Sequence, residues 1–243
     1  MVELQVFIGS LPFLAALPRG DGHPIVVLPG FTANDSSTET LRWFLADRGY
    51  APAGWELGHN HGPTDAILDG MDALMNAHVA RGRRVTLIGW SLGGIYAREL
   101  ARTYPDAVRA VITLASPFRL RDPAASNVSA MYESLTHLHS ERARVPHPPE
   151  EDRPALPVPV TNVFTRTDGV VHWQSCIDEY GDRCENVEVV GSHSGLGHNP
   201  LALAVIADRL AQPDGDWRPY RAPVCLSGGV RVGPVPSRPA VAA

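Results

Sequence analysis

Three polar residues, a serine, an aspartate and a histidine, each follow an apolar run of the sequence at a turn-forming segment. They are Ser91, Asp168 and His193. A serine hydroxyl is a poor nucleophile at neutral pH, so acyl transfer needs a base to take its proton and a carboxylate to orient that base. The residue types therefore predict nucleophilic catalysis, with Ser91 as the nucleophile, His193 as the base and Asp168 as the orienting carboxylate.

The serine lies in the string Gly-Trp-Ser-Leu-Gly at 89–93, which fits the pattern G-x-S-x-G. Residues 85–88 predict a buried strand before it, and 95–102 has the composition of a helix after it. This arrangement would expose the Ser91 hydroxyl at the positive N-terminal end of the helix, where developing negative charge is stabilised. Such short patterns also occur by chance in ordinary turns, and it is the context that favours the catalytic interpretation.

The base and its carboxylate each have a competing interpretation. His193 directly follows the last predicted strand, whereas His198 lies one residue before the helix cap at Asn199. The tip of a rigid strand holds a side chain better within hydrogen-bond range of two partners. This favours His193 as the base and leaves His198 beside the substrate. Asp168 stands before Gly169, and an Asp-Gly pair is also a common turn.

The tetrahedral intermediate of ester cleavage carries an oxyanion that backbone N–H groups must stabilise. Leu92, directly after the serine, supplies one such group. The other is expected from Phe31, which follows the tight Pro29-Gly30 turn at the end of a predicted strand. Losing one donor of this kind costs about 3 kcal/mol of transition-state stabilisation. The loop around Phe31 therefore matters as much as the three side chains.

The elements that must position these residues follow a regular order. Up to residue 115 the sequence predicts strand, helix, strand, helix, strand, helix, strand. Strands that are apolar on both faces and alternate with helices predict an α/β fold, with a mostly parallel sheet and helices on both faces. Ligands of such sheets bind at the carboxyl ends of the strands, which is where the candidate residues fall.

A long segment at about 119–157, rich in Pro, Arg, Glu and His, interrupts this alternation. It holds one amphipathic piece, with Met131, Leu135 and Leu138 at helical spacing. A long excursion at the functional end of a sheet is usually a lid or a binding loop, and a surface insertion without a role is the alternative. We expect a short lid helix that covers Ser91.

Aromatic residues near the predicted site indicate an apolar pocket. Trp90 and Phe118 are expected to line it together with His198. Core packing is the alternative for the aromatic residues, and for Trp90 it is nearly as good an explanation. An apolar pocket under a lid favours esters with apolar acyl chains as substrates.

Length and composition limit the class of protein. The 243 residues suffice for one sizeable core, and we expect a single domain over 1–220 and a Pro- and Gly-rich tail over 221–243. Apolar residues make up 44% and charged residues 19%, as in ordinary globular proteins. The net charge of -5 comes with no basic cluster, so nucleic acid is not an expected partner.

The cysteines and the N-terminus give further expectations. Three cysteines without a C-x-x-C pattern predict neither a disulfide framework nor a zinc site. Cys176 and Cys184 could close a small loop in an exported protein, but buried free thiols are the preferred interpretation. Residues 1–17 have no basic residue before Arg19 and contain Pro12, so we expect a helix packed on the domain and neither a secretory signal nor a membrane span. Contact with a membrane surface is an alternative, and a cytoplasmic location is expected.

From 24 to 210 the chain resembles the α/β-hydrolase fold, and within it the bacterial serine esterases and lipases. Four strings carry the resemblance: Leu-Pro-Gly-Phe at 28–31, Gly-Trp-Ser-Leu-Gly-Gly at 89–94, Thr-Asp-Gly-Val-Val at 167–171 and Gly-Ser-His at 191–193. It implies hydrolysis through an acyl-enzyme without a cofactor or metal, in the family's chain order of serine, acid and histidine. The chain departs from the full family by starting almost at its third strand. An N-terminal helix would replace the missing strands and leave about six.

Together these observations predict a serine carboxylic-ester hydrolase, an esterase or lipase, that acts on a small or lipid-like ester. An acyltransferase, or an amide or polyester hydrolase, would use the same groups, and the difference depends on what the lid admits. A non-catalytic binding module with this fold is the third possibility. Retention of all three polar groups and both N–H donors speaks against it.

Overall fold

A computed structural model describes residues 2–120, 122–144, 148–179 and 181–233. Within them, seven strands form one sheet. In chain order the strands are β1 (Pro24–Leu28), β2 (Ala51–Ala53), β3 (Val85–Trp90), β4 (Val108–Leu114), β5 (Val160–Phe164), β6 (Cys184–Val189) and β7 (Val230–Gly233). The α-helices of the same residues are α1 (Val2–Gly9), α2 (Leu11–Ala15), α3 (Glu39–Asp47), α4 (Asp65–Ala80), α5 (Leu92–Thr103), α6 (Ser129–Ser134) and α7 (Pro200–Leu210).

The sheet is mostly parallel. Its spatial order is β2-β1-β3-β4-β5-β6-β7, and each neighbouring pair from β2 to β6 is parallel. Every residue of β3 and β5 is buried, as expected of central parallel strands that helices cover on both faces. The predicted fold class, an α/β protein with a mostly parallel sheet, is confirmed.

Two hydrophobic clusters lie on opposite faces of the sheet. In β1, Ile25 and Val27 belong to one cluster, whereas Val26 and Leu28 belong to the other, because successive side chains of a strand point to opposite faces. The first cluster contains buried residues of α1, α2, α3 and α7, and the second contains those of α4 and α5. The carboxyl ends of the parallel strands therefore meet at one edge, where the connecting loops can form a site.

The sheet has one strand more than the six or so that the sequence predicts. The additional strand is β7, which lies in the segment predicted as a tail and runs antiparallel to β6, with Val232 opposite Val187. This pairing satisfies backbone groups at the edge of β6 that would otherwise be open. The last part of the predicted tail, 234–243, lies outside the described residues.

The described residues of the segment predicted as a lid, at about 119–157, form short elements. They are α6 and four 3-10 turns, Pro123–Ala125, Thr136–Leu138, Glu141–Arg144 and Glu150–Asp152. Ser126 forms an isolated antiparallel bridge with Val171, so the start of the segment is tied to the loop that follows Asp168. Met131 of α6 and Leu138 are exposed, at 51% and 45%. A short helix is therefore present, but it ends at Ser134, before Leu135 and Leu138, and Met131 is open to solvent.

The N-terminal segment packs on the domain and the two cysteines are buried free thiols, as the sequence predicts. Phe7 of α1 and Leu14 of α2 are buried in the first hydrophobic cluster, so the N-terminal helices pack on the domain. Cys176 and Cys184 are free and buried, and burial raises the pKa of both thiols. Among the helices described, none is long and apolar enough to cross a membrane.

Candidate active site

Ser91 occupies the turn between β3 and α5, and its backbone is strained. Its φ is 52° and its ψ is -120°, a conformation that residues other than glycine rarely adopt. The Ser91 N–H donates to the Leu114 oxygen at 2.8 Å, which ties the turn to β4. A glycine follows because the turn is crowded: a Cβ on Gly93 would lie 2.2 Å from the Leu28 oxygen. The predicted strand, turn and helix around Ser91 are all present.

Asp168 and His193 are joined by a hydrogen bond. His193 Nδ1 lies 2.7 Å from Asp168 Oδ2, and both side chains are buried. The other carboxylate oxygen, Asp168 Oδ1, accepts the N–H groups of Val170 and Val171, each at 2.8 Å. These two bonds compensate the buried carboxylate and fix its direction. Since Nδ1 of the imidazole faces a carboxylate, Nε2 is the nitrogen left to accept a proton.

The loop of His193 is held against the residue that precedes Ser91. Trp90 Nε1 donates to the His193 oxygen at 2.9 Å. The ring of Trp90 fills space that Gly197 leaves open, because a Cβ there would lie 2.4 Å from the indole. The strand end of β3 and the loop after β6 are therefore locked together. Among the described residues Ser91 Oγ has no hydrogen-bond partner. A hydrogen bond from Ser91 to His193 is therefore not observed.

Two backbone N–H groups near Ser91 have no hydrogen-bond partner among the described residues. One belongs to Leu92, the first residue of α5, where helix geometry provides no internal acceptor. The other belongs to Phe31, next to Gly30. Gly30 lies directly against the nucleophile turn, since a Cβ on it would be 3.2 Å from Ser91 Cβ and 3.9 Å from Ser91 Oγ. Both predicted N–H donors therefore lie beside the turn that carries Ser91.

A cavity of about 440 Å³ opens at Ser91. Its volume is in the range typical of small-molecule pockets. The lining is mostly apolar and includes Phe31, Ile95 and Phe118 from the domain and Tyr132 from α6. The rings of Phe31 and Tyr132 lie 5.2 Å apart, so α6 contacts the loop that carries the Phe31 N–H. The predicted lid segment thus forms one wall of this cavity.

Of the three side chains predicted to line the pocket, Phe118 does so, whereas Trp90 and His198 are not among the lining residues. Trp90 is 9% exposed and belongs to the hydrophobic core, because its indole is engaged by the loop of His193. His198 ends the 3-10 turn His193–His198, and burial lowers the pKa of its imidazole. For Trp90, the core-packing alternative describes the structure.

One residue that the sequence motifs do not indicate contacts the histidine loop. Glu3 of α1 accepts the Ser192 N–H at 2.9 Å and the Ser192 hydroxyl at 2.6 Å. Gly195 leaves room for this carboxylate, since a Cβ there would lie 2.2 Å from the Glu3 carboxyl group. The available signal is weak: Glu3 is the one charged residue before Arg19 in an otherwise apolar segment.

Among the described residues, no group of three or more His, Cys, Asp or Glu side chains is arranged to hold a metal ion. The arrangement that is present consists of a hydroxyl, a carboxylate-bound imidazole, two unpartnered N–H groups and an apolar cavity. These are the components that acyl transfer through a serine requires.

Comparison with known proteins agrees with this description. Residues 28–137 match the family model described as the alpha/beta hydrolase fold. With the sheet order and the strand, turn and helix around Ser91, the match shows that the chain has the α/β-hydrolase fold. The fold that the sequence motifs imply is therefore confirmed.

Individual relatives are more distant. The pimeloyl-[acyl-carrier protein] methyl ester esterase of Shewanella woodyi is 36% identical over 101 residues, which are 40% of this chain and 37% of that protein. Lipase B of Aspergillus fumigatus superposes with a TM-score of 0.60 at 19% identity, over 84% of this chain and 56% of that one. The monoacylglycerol lipase of Paleococcus ferrophilus gives a TM-score of 0.55 at 13% identity, over 80% of this chain and 96% of that one. The chain thus spans only part of the first two relatives, and the structural likenesses show a shared fold.

Proposed function

We propose that this chain is a serine hydrolase of carboxylic esters with apolar acyl groups and works through an acyl-enzyme on Ser91. The observation that carries the proposal is the 2.7 Å bond between His193 and Asp168, at the sheet edge that also holds the strained turn of Ser91. An imidazole bonded in this way can take the proton of a serine hydroxyl. The esterase and the lipases among the relatives support an ester as the substrate.

In the acylation step, Ser91 Oγ attacks the ester carbonyl while His193 Nε2 accepts the hydroxyl proton. Asp168 holds the imidazole in the required tautomer and stabilises its positive charge. The carbonyl oxygen becomes an oxyanion that accepts hydrogen bonds from the Phe31 and Leu92 N–H groups. When the bond to the alcohol breaks, His193 donates its proton to the leaving oxygen and the acyl group remains on Ser91.

Deacylation repeats these steps with water in place of Ser91. His193 Nε2 takes a proton from the water, which attacks the acyl carbonyl and forms a second oxyanion at the same N–H groups. Collapse of this intermediate returns the proton from His193 to Ser91 Oγ and releases the carboxylic acid. Free Ser91 and neutral His193 are restored, so no cofactor is consumed.

The cavity indicates which part of the substrate lies where. Phe31, Ile95 and Phe118 offer an apolar surface next to Ser91, which suits the alkyl chain of the acyl group. Tyr132 of α6 closes one side, and we propose that the segment at about 119–157 acts as a lid that limits access of water. A single catalytic domain, which with β7 extends past the predicted boundary at 220, would surround this cavity.

A chain-length series of p-nitrophenyl acyl esters, in solution and as an emulsion, tests the proposal. We expect the wild type to hydrolyse them, with the highest kcat/KM for chains that fill the cavity. In Ser91→Ala, kcat should fall by roughly 10⁴- to 10⁶-fold. The melting temperature should stay nearly unchanged, because Ser91 Oγ makes no hydrogen bond among the described residues. Turnover retained in Ser91→Ala would overturn the assignment of the nucleophile, and no turnover in the wild type would overturn the function.

A further inference from the structure

A fully buried residue outside the proposed catalytic groups, Asn60, is bonded to the loop that carries the Phe31 N–H. The Asn60 side chain donates from Nδ2 to the Pro29 oxygen at 2.9 Å. Its backbone oxygen accepts the Thr32 N–H at 2.7 Å, and its backbone N–H donates to the Ala33 oxygen at 2.8 Å. One residue thus makes three hydrogen bonds to the short segment 29–33, on both sides of Phe31.

This segment needs external support because its conformation is unfavourable on its own. Thr32, directly after Phe31, has a φ of 61°, in the left-handed region that β-branched residues rarely adopt. Such strain persists only where surrounding contacts hold it. The bonds from Asn60 supply those contacts, and through them the direction of the peptide plane that carries the Phe31 N–H is fixed.

The opposite side of the Asn60 amide faces the helix that carries the second N–H donor. Asn60 Oδ1 accepts the Gly62 N–H at 3.2 Å and the Tyr96 hydroxyl at 3.3 Å. Tyr96 lies on α5, which begins at Leu92, and burial raises the pKa of its phenol, so it stays a neutral donor. All polar atoms of the Asn60 side chain are therefore used, with one end on the Phe31 loop and the other on the Leu92 helix.

We infer that Asn60 is a positioning residue of the oxyanion site. It sets the spacing between the Phe31 and Leu92 N–H groups and does not touch the substrate itself. The inference rests on the proposed function, since an oxyanion forms only if Ser91 attacks a carbonyl. Stabilisation of an oxyanion depends on donors that are fixed before the charge develops. Loss of Asn60 should therefore weaken binding of the transition state and leave binding of the ground-state ester largely intact.

The test compares Asn60→Ala with the wild type on a soluble p-nitrophenyl ester, well below the melting temperature of both. We expect kcat to fall by about 10- to 100-fold, somewhat less than the loss of a whole oxyanion donor, with KM changed less than about twofold. Affinity for a trifluoromethyl ketone, which forms an oxyanion adduct with Ser91, should fall in parallel with kcat. A role confined to folding would lower the melting temperature and leave both kcat and the affinity for the ketone unchanged.

Asn186 offers a matched control. It is also a buried asparagine, and its side chain also donates to a backbone carbonyl and accepts a backbone N–H, both of Asp178. Asn186→Ala should lower the melting temperature to a similar degree and keep kcat within about twofold of the wild type. Equal losses of kcat in both variants would overturn the inference.

The isosteric variant Asn60→Asp serves if Asn60→Ala does not fold. It keeps the shape and both accepted bonds, and its carboxyl loses the donor to Pro29 when it is ionised. Relative to the wild type at the same pH, kcat should therefore fall at constant KM as the pH rises through the pKa of this carboxyl. A folded Asn60 variant with wild-type kcat and inhibitor affinity would overturn the role of Asn60 alone. Absence of ester turnover in the wild type would instead overturn the proposed function, and with it this inference.

Discussion

At the scale of single residues, the two histidines of one 3-10 turn have different surroundings. His193 Nδ1 faces the Asp168 carboxylate at 2.7 Å. His198 has a pKa lowered by burial, which the negative charge of Glu3 partly opposes. A carboxylate at Nδ1 fixes the tautomer of His193 and leaves Nε2 to act as the base, whereas burial disfavours the charged form of His198. The surroundings therefore favour His193 as the base.

Separate alanine variants distinguish the two histidines. We expect His193→Ala to lower kcat by about 10⁴-fold or more, because the base and the later acid are both lost. His198→Ala should keep kcat within about fivefold, since the His198 side chain is not among those that line the cavity. Steady-state rates on one p-nitrophenyl ester provide the comparison. Equal losses in the two variants would leave His193 without a special role.

The sequence indicates the strand, turn and helix around Ser91 well because their local signals are strong. Ser91 stands in a glycine-flanked turn between a buried strand and a helix, and that turn forms through local backbone geometry. The direction of a side chain is not a local property. Trp90 could face either the cavity or the core, and the hydrogen bond to the His193 oxygen decides for the core. That bond joins two loops whose proximity depends on the whole sheet.

At the scale of elements, the N-terminal helix α1 supports the loop of His193. The Glu3 carboxylate accepts both the N–H and the hydroxyl of Ser192, the residue directly before His193. The two residues are 189 positions apart in the chain, so no sequence spacing predicts the contact. The helices that precede β1 thus place a charged side chain of α1 next to the candidate site.

Removal of this contact should reduce the rate. In Glu3→Ala, Ser192 loses the acceptor of its N–H and hydroxyl, and His193 gains freedom to leave its position. We expect kcat to fall roughly tenfold, within the hundredfold that a misplacement of about 1 Å can cost. Gln5→Ala is the matched control, because Gln5 lies on the same helix with an exposed side chain, and it should have wild-type kcat. A Glu3→Ala variant as active as Gln5→Ala would contradict a role for α1.

Some elements follow from the sequence and others do not. Long apolar runs such as those of β1 and β3 are recognisable because both faces of a central parallel strand are buried. Edge strands give a weaker signal. The sequence predicts β2, although it is only Ala51–Ala53 with a proline at its centre. The sequence does not predict β7, which reads Val-Arg-Val-Gly with two exposed positions. β7 forms because the edge of β6 offers it hydrogen bonds, which is a tertiary effect.

At the scale of the whole molecule, a second buried histidine lies at the opposite end of the sheet. His23 Nδ1 is 2.5 Å from Asp21 Oδ1, and its Nε2 is 3.0 Å from the Thr86 hydroxyl. Burial lowers the pKa of His23 from its usual 6.5, and the positive charge of Arg109 acts in the same direction. The neutral ring suits this site, because Nδ1–H donates to the carboxylate and Nε2 accepts from the hydroxyl.

The lowered pKa of His23 makes the stability of the fold depend on pH. Below pH 6.5 the unfolded chain binds a proton at His23 more readily than the folded chain does, so protonation favours unfolding. We expect a lower melting temperature at pH 5.5 than at pH 7.5. His23→Gln keeps a polar group near Thr86 and lacks the titration, so its melting temperature should change less over this range. Thermal melts of both proteins at several pH values measure the difference, and identical slopes would contradict the assignment.

The central claim is that Ser91, His193 and Asp168 act together as one nucleophilic unit. Covalent labelling by a fluorophosphonate, located by mass spectrometry of peptides, tests it most directly, because the reagent reacts much faster with a serine whose proton is taken by a base. We expect label on Ser91 in the wild type, much slower labelling in His193→Ala and an unchanged rate in His198→Ala. Label on a different residue, no label at all, or equal rates in the two histidine variants would contradict the claim.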